Sequence, residues 1–100
     1  MDEKKLLSYV SLAAKAGRIS GGEYAALNSV KDYSAKLVII AKDTSENTAK
    51  KLKDACEYRD IPYVYAADKE SLGRMTGKDI RAVLSVTDEG FAKAMLKCME

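Results

Sequence analysis

Histidine and tryptophan are missing from this chain of 100 residues, proline and phenylalanine occur once each, and cysteine only twice. Without histidine there is no imidazole to act as a general base near neutral pH, and the commonest ligand of zinc and iron sites is lost. Cys56 and Cys98 lie far apart with no Cys-x-x-Cys pair, so they assemble no zinc set and read as free thiols. No metal and no cofactor is expected. One proline and six glycines leave no linker-like or low-complexity stretch. No window approaches the ~18–20 apolar residues of a membrane helix, and Met1-Asp2-Glu3-Lys4-Lys5 is not followed by the apolar core of a signal peptide. These absences predict a cytoplasmic protein without a membrane partner, organised as one domain over 1–100.

An excess of one charge is lacking too. Seventeen Lys and Arg stand against fifteen Asp and Glu, a net of +2, too little for neutralising a long duplex. A local basic face remains compatible with that total, because affinity for phosphate follows clustered charge. The hydrophobic fraction of 47% is that of an ordinary globular chain, which excludes a disordered or fibrous one.

Apolar residues at Leu6, Leu7, Tyr9, Val10, Leu12, Ala13 and Ala16 recur at helical spacing, and Gly17 ends that helix. Arg18 to Ser20 is a short segment able to pair at a sheet edge. Gly21-Gly22 then opens a second helix carrying Ala25, Ala26 and Val30. Leu37 to Ala41 is a continuous β-branched run, a strand covered on both faces. Asp43, Thr44 and Ser45 are helix-capping residues before a third helix with Leu52, Ala55 and Cys56 on one side. A second strand spans 61–65, with Pro62 at its start. A short helix from Asp68 to Met75 is closed by Gly77, a third strand spans 82–86, and Thr87-Asp88 caps a last helix through Leu96. Strands alternating with helices predict parallel crossovers and a three-layer α/β/α sandwich.

Two glycine patterns invite a nucleotide reading and fail it. Gly73 to Lys78 has three residues between its glycines where a phosphate-binding loop needs four, and Asp79 follows the lysine. Gly17 to Gly22 has the spacing, but Glu23 stands in the lysine's place. The carboxylates Asp43, Asp68 and Asp88 sit where capping and the helix dipole account for them, and no serine has a histidine to activate it. Tyr9, Tyr63 and Phe91 fall on apolar faces, leaving Tyr24 and Tyr33 as the candidate stacking platforms. The basic residues are the better candidates. Lys15, Arg18, Lys36, Lys78 and Arg81 border the two glycine turns, and together with the Gly21 and Gly22 amides they predict a basic face at one end of the sheet.

The residues also resemble a known family. Ala35 to Asp43 (AKLVIIAKD) is similar to a strand of the L7Ae/L30e ribosomal protein superfamily. Leu52 to Glu57 followed by Ile61-Pro62-Tyr63 resembles that family's helix-to-strand step, and Lys69 to Gly77 resembles its LGxAxG helix. The two ends, through Ala16-Gly17 and from Thr87 to Ala92, look most like the bacterial YlxQ-like branch. The resemblance implies a three-layer α/β/α sandwich with a four-stranded mixed sheet, no catalysis, and binding of structured RNA, ribosomal RNA or a kink-turn element, with ribosomal proteins as further partners. Taken with the basic face above, it gives an expected RNA-facing set of Lys15, Arg18, Gly21, Gly22, Glu23, Tyr24, Asn28, Lys36, Lys78, Ile80 and Arg81. The family signature Gly-x-Asn-Glu-x-x-Lys, aligned from the Lys36-Leu37 anchor, falls on Gly22, Tyr24, Ala25 and Asn28, so only its glycine is kept. A ribosome- or RNA-processing-associated protein-interaction module is the alternative. An enzyme has no residue set behind it.

Overall fold

A computed structural model describes residues 2–100; Met1, with which the expected single domain and the signal-peptide reading begin, lies outside the described residues. The elements run α1 (Glu3–Lys15), β1 (Ile19–Gly21), α2 (Glu23–Lys31), β2 (Leu37–Ile40), α3 (Glu46–Tyr58), β3 (Tyr63–Tyr65), α4 (Lys69–Met75), β4 (Val83–Val86) and α5 (Glu89–Cys98). The caps are those the sequence supplies. Asp2, Ser45, Asp68 and Asp88 each accept a backbone N–H of their helix's first turn. Asp43 departs from expectation. Its carboxylate accepts the Lys69 N–H at 2.9 Å and so steadies the start of α4, not α3.

The four strands form one sheet in the order β1-β4-β2-β3. β2 and β4 are buried along their whole length, and their side chains divide by alternation. Leu37, Ile39, Leu84 and Val86 pack with Leu6, Val10, Leu72 and Met95 of α1, α4 and α5. Val38, Ile40 and Val83 pack with Ala26, Val30, Leu52 and Cys56 of α2 and α3. Two helical layers therefore enclose a mixed sheet, as expected. Burial of each such Leu, Ile or Val side chain contributes ~1.5–3 kcal/mol.

The expectation of parallel crossovers holds only for β2 and β3, while β4 runs antiparallel to both β1 and β2. The reason is the path after α4. The chain turns back along that helix, the Lys78 N–H meeting the Gly73 carbonyl and the Arg81 N–H the Lys69 carbonyl, so β4 starts from the end where β3 finished. On the α2 side the buried Ser85 meets Ser29 in a hydroxyl pair at 2.6 Å, and Ser29 donates to the Ala26 carbonyl.

Cys56 is fully buried beside Leu52, and burial pushes its thiol up to about 11. In a Cys98→Ser chain the remaining thiol should react with a disulfide reagent only as fast as the protein unfolds. Stopped-flow absorbance checks this, and a fast full-stoichiometry phase contradicts it.

Candidate functional site

The start of α2 is built from two glycines. Gly22 takes φ +96 as the N-cap residue and brings no side chain to satisfy the helix amides. Its own N–H is tied to the Val83 carbonyl at 2.9 Å, which fixes the turn against β4. The first helical bond runs from the Ala26 N–H to the Gly22 carbonyl, so the amides of Glu23, Tyr24 and Ala25 precede it. Such an uncapped N-terminus favours an anion through both its free donors and the helix dipole.

Arg81 lies directly on this turn. A Cβ on Gly21 would sit 2.8 Å from Arg81 Nε, and one on Gly22 would sit 2.8 Å from Nη1. Only glycines leave room for the guanidinium there. Arg81 Nε is buried and meets no hydrogen-bond partner among the described residues. A cation beside the positive end of a helix, with one buried donor unpaired, is an arrangement that an anion would complete.

The loop from α4 to β4 sets that arginine. The Lys78 N–H reaches the Gly73 carbonyl at 2.8 Å and the Arg81 N–H reaches the Lys69 carbonyl at 2.9 Å, folding the loop back along α4. Gly73 is what permits this, since its Cβ would lie 2.6 Å from Ile80 Cα. The loop leaves Lys78 exposed and presents Ile80 with 60% of its surface free. Across from it Tyr24 is 81% exposed, and Asn28 stands one helical turn further on the same face of α2.

Glu23 belongs to the same turn but faces α3. Thr48 Oγ1 donates to it at 2.8 Å and Lys51 Nζ at 2.9 Å. The Lys51 bond, then the Thr48 bond, hold its carboxyl below the usual carboxylate range. Thr48 and Lys51 were not among the candidates from sequence. They lie 25 and 28 residues away, and no local pattern links them to α2.

The expected basic face is split. Gly21, Gly22, Glu23, Tyr24, Lys78, Ile80 and Arg81 gather at the sheet end where β1 finishes and β4 begins, with Asn28 a turn away. Lys15, Arg18 and Lys36 lie at the opposite end. The Arg18 carbonyl accepts the Thr87 N–H and the Lys36 N–H meets the Val86 carbonyl, both at the finish of β4, and Lys15 is the last residue of α1 on that same side. The cause is the extension of β1. Three strand residues carry the chain about 10 Å, so Arg18 and Gly22, near in sequence, sit at two ends of the sheet. Tyr33 lies with the second group, beyond α2, and is also exposed. Among the described residues, no group of three or more His, Cys, Asp or Glu is placed to hold a metal ion, and no helix is long and apolar enough to cross a membrane.

Comparison with known proteins gives one consistent answer. Residues 4–96 match the model of the ribosomal protein L7Ae/L30e/S12e/Gadd45 family. RNA-binding protein YlxQ of Bacillus subtilis (strain 168) is 37% identical over 91 residues, covering 91% of each chain. Large ribosomal subunit protein eL8 of Picrophilus torridus is 35% identical over 89 residues, covering 88% of this chain and 70% of that protein. A solved protein of unknown function from Bacillus halodurans superposes with a TM-score of 0.92 at 35% identity, covering 95% of this chain and 96% of that one.

The close approach at Gly73 is testable alone. Gly73→Ala forces the 78–81 loop off α4 and should destabilise the fold by roughly 1–3 kcal/mol, read as a lower midpoint in urea. An unchanged midpoint would mean that the loop is not held by this contact.

Proposed function

The chain belongs to the ribosomal protein L7Ae/L30e/S12e/Gadd45 family, and we propose that it is a one-domain, non-catalytic, ribosome-associated protein that binds structured RNA through the glycine-opened start of α2 and the loop from α4 to β4. One observation carries the reading: the Arg81 guanidinium, its Nε buried and unpaired, lies against the uncapped N-terminus at Gly21-Gly22. A phosphate there would take the α2 amides and the guanidinium at once. Lys78 supplies further charge, and the exposed Tyr24 and Ile80 supply apolar and stacking surface for unpaired nucleotides. The names of its relatives point the same way, one being an RNA-binding protein and another a ribosomal protein.

The altered signature sets the kind of recognition. Tyr24 and Ala25 stand where the family pattern has Asn-Glu, and Asn28 where it has lysine. A bidentate base contact gives ~1–3 kcal/mol of discrimination, so without these groups RNA is held mainly by phosphate and shape. Lys15, Arg18 and Lys36, at the opposite end of the sheet, are left out of this first contact set.

A kink-turn hairpin and the same hairpin with its sheared G·A pairs disrupted should therefore differ in affinity by less than about tenfold, roughly 1.4 kcal/mol. Tyr24→Asn, Ala25→Glu and Asn28→Lys together should widen the gap. Lys78→Ala and Arg81→Ala should weaken both RNAs alike and flatten the salt dependence. Titration of both hairpins at two salt concentrations is the measurement. A gap of a hundredfold or more in the unaltered chain would mean that another residue reads the G·A pairs. Binding with no salt slope would favour the protein-interaction module.

A further inference from the structure

Glu23 opens α2 among the groups proposed to meet RNA, yet its carboxylate is fastened elsewhere. Thr48 holds one oxygen at 2.8 Å and Lys51 the other at 2.9 Å, both from α3. The pair with Lys51 is well exposed on both sides, and exposed pairs contribute little to stability. Three of the other ion pairs link residues four apart on one helix; this one reaches between helices. Its consequence is for the anion site. Gly22, the residue before Glu23, leaves free the space that the Arg81 guanidinium occupies and brings no side-chain cap. An untethered Glu23 carboxylate, one residue from Gly22, would compete for those donors with an incoming phosphate.

We propose that Thr48 and Lys51 are positioning residues of the RNA site, holding the Glu23 carboxylate against α3 so that the α2 amides and Arg81 stay open to phosphate. The proposal rests on the RNA reading above. Glu23 titrates below the usual carboxylate range because of these same two bonds, so it is ionised at neutral pH and needs to be kept aside.

Hairpin affinity in Thr48→Val/Lys51→Met, with and without Glu23→Gln, is the test. The paired change should weaken binding about three- to tenfold when Glu23 is present, the effect of one charge within a Debye length of a phosphate. In the Glu23→Gln chain it should cost less than about twofold, and Lys51→Arg, which keeps the pair, should bind like the unaltered protein. Thermal unfolding checks that each variant folds; should the paired change not fold, Lys51→Met alone must show the same pattern at smaller size. An equal loss in both backgrounds would make Lys51 itself an RNA contact and overturn the proposal, and so would no loss at all. Failure of the parent reading looks different, because the unaltered chain would then bind no RNA.

Discussion

β2 and β4 are buried on both faces, and that constraint organises the rest of the molecule. Each strand offers apolar side chains alternately to α1, α4 and α5 and to α2 and α3, so both helical layers are required to cover them. Once helices occupy both faces, the connections are confined to the two ends of the sheet. The end where β1 finishes and β4 begins receives the start of α2 and the loop after α4 together. The candidate site is therefore a by-product of where two double-sided strands have to lie.

What differs at that end from an ordinary helix start is the company it keeps. A side-chain cap satisfies one first-turn amide at each of α1, α3, α4 and α5. At α2 a glycine stands in that place and an arginine is laid over it. Electrostatically this is the wrong charge for a folding device, since cations belong at the other end of a helix. The arrangement makes sense as a half-built anion site, and the tethering of Glu23 to Thr48 and Lys51 of α3 turns one neighbouring carboxylate away from it.

Much of this was legible in the chain. The β-branched run from Leu37, the capping aspartates at 68 and 88, and the helix-ending Gly17 and Gly77 are local signals, and the structure keeps each of them. The buried Cys56 followed from its place beside Leu52. Two kinds of feature were not legible. The direction of β4 depends on the loop after α4 folding back along that helix, which no pattern of hydrophobicity encodes. The split of the basic residues depends on β1 being extended, so that four positions of sequence become opposite ends of the fold. In the sequence Glu23 stands both where a phosphate loop has its lysine and within the RNA-facing set, while its partners Thr48 and Lys51 appear only once α2 and α3 lie side by side.

The strand order also dictates when the protein can become itself. β1 pairs with β4 alone, Ile19 lying opposite Val86, and β2 needs β4 on one side. A chain made from its N-terminus has thus finished three of its strands before the one that joins them exists. Pairing β1 with β4 closes the long stretch from Gly21 to Val83, at an entropic cost that grows with its length. The Gly22 N–H finds its partner, the Val83 carbonyl, only when that stretch closes, so the turn at the start of α2 is completed by the last strand of the sheet.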